Sequence, residues 1–122
     1  MVDWTKYRDF FKPSEFYDDQ NREWMTSEFM DMLYEARVMA GIPFVVTSGC
    51  RNEDQNIGVG GSPTSAHLSG EACDLSVTGS RDRFLIVDAL VSAGFNRIGI
   101  GADFVHVDCS AIKDQNVLWL YD

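Results

Sequence analysis

The segment Phe104–Cys109, FVHVDC, alternates in a way that decides how the chain is read. Side chains of a strand point to its two faces in turn. Val105, Val107 and Cys109 therefore share an apolar face, the expected core side, while Phe104, His106 and Asp108 project from the other. The segment Glu71–Val77, EACDLSV, has the same parity: Cys73, Leu75 and Val77 face one way, and Ala72, Asp74 and Ser76 the other. If these two strands are neighbours, Asp74 and His106 meet on the polar side.

Working outward, Phe29, Met32, Leu33, Ala36 and Met39 recur at helical spacing between about Thr26 and Met39, and Gly41 and Pro43 close the segment. A second helix is predicted from Ser80 to Gly94, with Phe84, Val87, Leu90 and Val91 turned inward. KPSEFYD reads as a short helical turn begun by Pro13 and Ser14. PFVVTS and RIGIG read as further short strands. Between PFVVTS and EACDLSV lies a polar, Gly-rich stretch of about twenty residues, expected to be a loop. Helices interleave with strands, and the last strands are close enough in sequence to pair as a hairpin. The expected fold class is α+β with a small antiparallel sheet, and residues 1–122 are expected to form a single domain without repeats or a linker.

The composition sets limits on function. The net charge is −9, and Lys and Arg occur singly, so the clustered cations that nucleic acids and anionic envelopes require are missing. No apolar run approaches a membrane span. The N-terminal residues lack the basic start and apolar stretch of a signal peptide, so a product made in the cytoplasm is expected. Cys50, Cys73 and Cys109 show no C-x-x-C spacing and are expected to be reduced, small and buried. The acidic run around Asp18, Asp19 and Glu23 is expected to be a solvated surface.

His67 and His106 are the only histidines, and His67 lies just before the strand that carries Asp74. Two neutral imidazoles and a carboxylate suit tetrahedral Zn²⁺ with its fourth position open. Asp103, three residues before His106, could take a proton from water and pass it to a leaving amine. Arg51 could hold a substrate carboxylate or an oxyanion. Each has a plainer counterpart. His67 could be a loop residue, Asp74 a strand-edge carboxylate, Arg51 a surface ion-pair partner, and Asp103 a loop residue. Asp108 could orient a ligand or could be a solvated carboxylate.

As an ordered set these residues resemble the D-Ala-D-Ala carboxypeptidase family of zinc peptidases. That family includes phage L-alanyl-D-glutamate endopeptidases and shares a zinc-site architecture with the hedgehog signalling domain. FFKPSEF is similar to its opening segment, AGIPFVVTSGCRNEDQNIGVGG to its strand and arginine loop, and GIGADFVHVD to its closing strand. SAHLSGEACD matches the signature S-x-H-x-x-G-x-A-x-D. The resemblance implies zinc held by His67, Asp74 and His106. It implies Asp103 as general base, Arg51 as the residue that contacts substrate and polarises its carbonyl, and Ser65 and Asn56 in supporting, substrate-binding positions. The chain departs from the pattern at Cys50, where the family usually has an aromatic residue, and a wider pocket wall or altered substrate contacts are the expected consequence. Cys73, in place of a small apolar residue, is expected to fit the core.

The resemblance implies hydrolysis of peptidoglycan stem peptides, as carboxypeptidase or endopeptidase, by a phage or prophage protein. Such a protein would act in the periplasm or cell wall after delivery by lysis or by the virion. The acidic charge favours attachment to another component, such as a virion structure. One competing reading is a non-catalytic zinc module that binds peptidoglycan or protein. Another is a cysteine hydrolase built on Cys50.

Overall fold

The structure is a computed structural model, and it describes residues 1–121. Three α-helices and five strands follow one another as α1 (Ser27–Ala40), β1 (Val46–Ser48), α2 (Glu53–Gly58), β2 (Ala72–Ser76), α3 (Ser80–Ser92), β3 (Arg97–Ile100), β4 (Phe104–Asp108) and β5 (Val117–Leu120). Short 3₁₀ turns lie at Trp4–Lys6, Pro13–Phe16 and Ala66–Ser69. The fold is α+β. None of the helices described is long and apolar enough to cross a membrane.

The strands form one sheet in the order β1-β2-β4-β3-β5. Four of them pair antiparallel, as expected. The fifth corrects the all-antiparallel reading: β5, unassigned from sequence, adds to the edge of β3 in parallel. Its return is possible because residues 109–116 carry the chain from the end of β4 back to the start of β3.

Register puts one row of residues across all five strands. Ser48 pairs with Asp74, Asp74 with His106, His106 with Gly99 and Gly99 with Trp119. The parity argument therefore holds where it matters. A register irregularity between Val46 and Ser48 turns Ser48 onto this row. On the opposite face Cys73, Leu75, Ile98, Val105 and Val107 are buried in one cluster with Phe29, Leu33 and Leu90 of the helices.

Both long helices follow the expected boundaries; α1 buries the predicted face except at Met39, whereas the buried face of α3 is rotated from the predicted one. α1 begins at Thr26, whose hydroxyl accepts from the Phe29 amide, and ends at Gly41 in the left-handed region. It buries Phe29, Met30, Leu33 and Ala36, whereas Met39 is exposed. α3 buries Ile86, Ala89 and Leu90, and Phe84 and Val91, predicted inward, are exposed. α3 carries apolar residues on both faces, so helical periodicity alone could not choose between them.

Two other expectations are corrected. The stretch read as a long loop contains α2, capped by the Asn52 side chain on the Gln55 amide, and the Ala66–Ser69 turn, capped by Ser65 on the His67 amide. Asp18 is buried rather than solvated: its carboxylate accepts from the Arg22 side chain, from the amides of Gln20 and Arg22, and from Asn52 Nδ2. Cys50 and Cys73 are buried as expected, and Cys109 is half-buried.

Gly70 ends the Ala66–Ser69 turn with φ +71°, and a Cβ placed there would lie 2.1 Å from the carbonyl oxygen of Trp24. That close approach docks the turn, through Thr26 N–H to Gly70 O and Trp24 Nε1–H to Leu68 O, on the segment before α1. Gly70→Ala is expected to destabilise the protein by about 2–4 kcal/mol, from left-handed strain plus the clash. Denaturant unfolding with a chelator present measures this loss.

Candidate metal centre

His67 is delivered by the Ala66–Ser69 turn, Asp74 by the middle of β2 and His106 by the middle of β4. One ligand atom from each lies within 4.8 Å of the others. His67 Nε2 is 3.3 Å and His106 Nδ1 2.9 Å from the same Asp74 oxygen. Both imidazoles are almost wholly buried.

The second nitrogen of each ring is committed elsewhere. His67 Nδ1 is 2.8 Å from the carbonyl of Gly49, which can only accept, so this nitrogen carries a proton and Nε2 is the ligand atom once the ring is neutral. His106 Nε2 donates to Asp108 Oδ2 at 2.7 Å, which leaves Nδ1 as the ligand atom once the ring is neutral. Asp108, left open from sequence, is buried and accepts at its other oxygen from Arg97 Nε at 2.6 Å and from the Ser110 amide. Ring nitrogens held in this way have the tautomer and aim a metal ligand needs.

Without metal, this arrangement sets the local charges. Burial alone would raise Asp74, but hydrogen bonds from His106 and His67 outweigh it and hold the carboxyl well below the usual range. Asp108 is likewise lowered, burial being outweighed by His106 and Arg97. Burial opposes charge on His106, yet its bonds to Asp108 and Asp74 raise it above the usual imidazole range.

These residues line a cavity of about 580 Å³ together with Arg51, Ser65, Arg97, Lys113, Trp119 and Tyr121. Arg51 is not a surface ion-pair residue. Its guanidinium donates to Asn56 Oδ1 at 3.1 Å and to Ser48 Oγ at 3.4 Å, and lies 3.9 Å from Asp74 Oδ2. Ser65 lines the cavity and also caps the turn that carries His67. Asn56, expected to touch substrate, does not line the cavity: it is buried, and its amide is used on Arg51 and on the Ser62 carbonyl. Its contact with the cavity is through Arg51.

Two further expectations change. Cys50 does not widen a pocket wall. Its sulfur accepts from the Trp24 amide on the core side, and burial pushes the thiol up to about 11, so it is neither open nor ionised enough to serve as a nucleophile. Asp103 is exposed and lies outside the cavity, in an adjoining depression lined by Thr47, Asp74, Ser76 and Phe104. It is next to the centre, sharing Asp74 and Phe104 with it, but does not form its inner wall.

Sequence reading missed Arg97, Lys113 and the aromatic wall of Trp119 and Tyr121. The His106 ring lies 5.6 Å from that of Trp119, and Arg97 stacks 5.0 Å from the same indole. Gly99 makes room for this wall, since a Cβ there would lie 2.5 Å from Tyr121 and 2.6 Å from Trp119. The alternation of half-buried Val117 and Trp119 against exposed Leu118 and Leu120, with Tyr121 at the rim, was the available signal.

Two imidazoles and one carboxylate at an open cavity lined by cations are a donor set that could hold a metal and leave room for a substrate, as catalytic zinc sites do. A family model described as Peptidase M15 matches residues 8–108, and the chain belongs to that family of zinc-dependent peptidases. A comparison with curated proteins gave no match.

Asp108→Asn is expected to lower zinc affinity by about 10–100-fold, because it removes the carboxylate that aims His106. Competition with a chromophoric chelator measures the change.

A pH effect follows from the same groups. A lowered carboxyl stabilises the fold above about pH 4 and loses that contribution as pH falls; a raised imidazole stabilises it below about pH 6.5 and loses it as pH rises. Through this cluster, metal-free protein should melt at a higher temperature at about pH 5.5 than at about pH 8, and zinc, which displaces the His106 proton, should reverse that order. Thermal melts with chelator and with zinc check both.

Proposed function

We propose that this protein is a zinc-dependent peptidase that hydrolyses peptidoglycan stem peptides, in cell-wall degradation by a phage or prophage. The observation that carries the reading is the triad itself: three ligand atoms converge on one side, both imidazoles are locked from behind, and a cation-bearing cavity opens above them. His67 Nε2, an Asp74 oxygen and His106 Nδ1 would hold the ion. Zinc in such a site supplies Lewis acidity, which makes water a better nucleophile and an amide carbonyl a better electrophile.

The chain's own residues supply the rest. Arg51, held by Asn56 and Ser48, presents its guanidinium to a substrate carboxylate or to the oxygen of the scissile carbonyl as charge develops there. Asp103, from the adjoining depression, takes a proton from the attacking water and gives it to the leaving amine. Trp119 and Tyr121 wall the cavity and limit water around the reacting atoms. The net charge of −9 fits an enzyme brought to the wall by another component better than one that must adhere to an anionic envelope by itself.

The exposure of Asp103 favours a second reading, a non-catalytic zinc module that binds peptidoglycan or protein. One experiment separates the two: mass spectrometry of muropeptides after digestion with zinc-loaded protein. New termini after L-Ala mean an endopeptidase, and loss of a terminal D-Ala means a carboxypeptidase. Asp103→Ala should keep its zinc and lose about 10²–10⁴ in rate. Unchanged muropeptides with wild-type protein would leave the binding module.

A further inference from the structure

Arg51, Arg97 and Lys113 are the three cations that line the cavity, and they are not equivalent. Arg97 is buried and its charge is absorbed by Asp108 at 2.6 Å. Arg51 is held by two neutral partners and is 3.9 Å from Asp74, whose charge a bound metal would take up. Lys113 is half-buried and, among the described residues, has no carboxylate within ion-pair distance, although the chain carries 19 Asp and Glu against 10 Lys and Arg.

Lys113 also sits on a built loop. Residues 109–116 join β4 to β5, and they are pinned where the lysine leaves them. Arg97 donates through its terminal nitrogen to the Asp114 carbonyl. Gln115 Nε2 donates to the carbonyls of Ser110 and Lys113 at 2.8 Å each, and the Ser110 amide donates to Asp108. The ion pair that aims His106 thus also fixes the backbone that carries Lys113. Arg51 follows β1 and Lys113 precedes β5, so the two cations not neutralised by a tight ion pair reach the cavity from opposite edges of the sheet.

We propose that Lys113 is a substrate-binding residue that takes a second carboxylate of the substrate, the first being taken by Arg51, so that the site selects peptides with two anionic groups. This rests on the peptidase reading above. A stem pentapeptide with lysine at its third position offers two such carboxylates outside the scissile amides, the α-carboxylate of D-Glu and the C-terminal one.

The test uses the pentapeptide L-Ala-γ-D-Glu-L-Lys-D-Ala-D-Ala, which contains both candidate scissile bonds, and two derivatives amidated at one or the other carboxylate. With zinc-loaded wild-type protein, each amide is expected to lose about tenfold in kcat/KM, mainly through KM. Lys113→Gln should erase the discrimination at one of the two positions, which identifies the carboxylate it binds, while Lys113→Arg should keep it. Equal zinc content in all variants confirms that the centre is intact. Discrimination retained at both positions by Lys113→Gln, or absent in wild type, overturns the proposal and leaves the peptidase reading standing. Calorimetric affinities for the same peptides separate the two ideas. If wild type hydrolyses none of them but binds the acid more tightly than an amide, and Lys113→Gln erases that preference, the carboxylate site stands and the peptidase reading falls. If nothing is bound or cleaved, both fall.

Discussion

The antiparallel register of β2 against β4 is the constraint on which the site depends. Asp74 stands directly across from His106, and Cys73 across from Val107. A slip of one residue would turn every side chain of one strand to the other face. Asp74 would then enter an apolar core, and Cys73 or Leu75 would face the cavity. The register is therefore enforced twice, by burial of Cys73, Leu75, Val105 and Val107 behind the sheet and by the polar contacts in front. Metal affinity is not needed to choose it; the core already has.

Behind that register lies an ion pair that brings its own cost. Asp108 and Arg97 are both buried, and removing two charges from water is compensated only when geometry and further hydrogen bonds are good. Here both oxygens of Asp108 are used: His106 at one, Arg97 and the Ser110 amide at the other. Arg97 then reaches the Asp114 carbonyl and stacks on Trp119. One pair thereby couples the aim of a metal ligand, the course of the loop after β4 and the seat of the aromatic wall. Such a pair is poor evidence for stability but a good device for holding three elements in one arrangement.

Much of the centre was legible because strands obey a two-residue period. The alternation in FVHVDC and EACDLSV placed His106 and Asp74 on one face, and the motif SAHLSGEACD brought in His67. What was not legible lies where that period says little. Phe84 and Val91 read as inward because α3 carries apolar residues on more than one face, and only its neighbours decide which stripe is buried. Asn52 and Ser65 each cap a helical turn within a stretch rich in Gly, whose composition masked the capping signals. Arg97 and Lys113 matter through partners distant in sequence, and no local pattern announces such contacts. Asn56 lies on a motif position yet works by holding Arg51, a distinction that needs coordinates.

The charge distribution has one further consequence. An overall charge of −9 repels anionic peptides at long range, yet the cavity gathers Arg51, Lys113 and, when loaded, a divalent ion. Salt screens the long-range repulsion between exposed charges, whereas contacts inside a partly buried cavity are screened much less. At cellular ionic strength the exposed acidic residues therefore limit the approach of substrate only weakly, while the cavity's cations still act on it at contact. The acidic exterior is then compatible with an anionic substrate, provided something else brings the protein to it. Selectivity would be set at contact, by a few cations held in place by neutral or buried partners rather than by the net field of the protein.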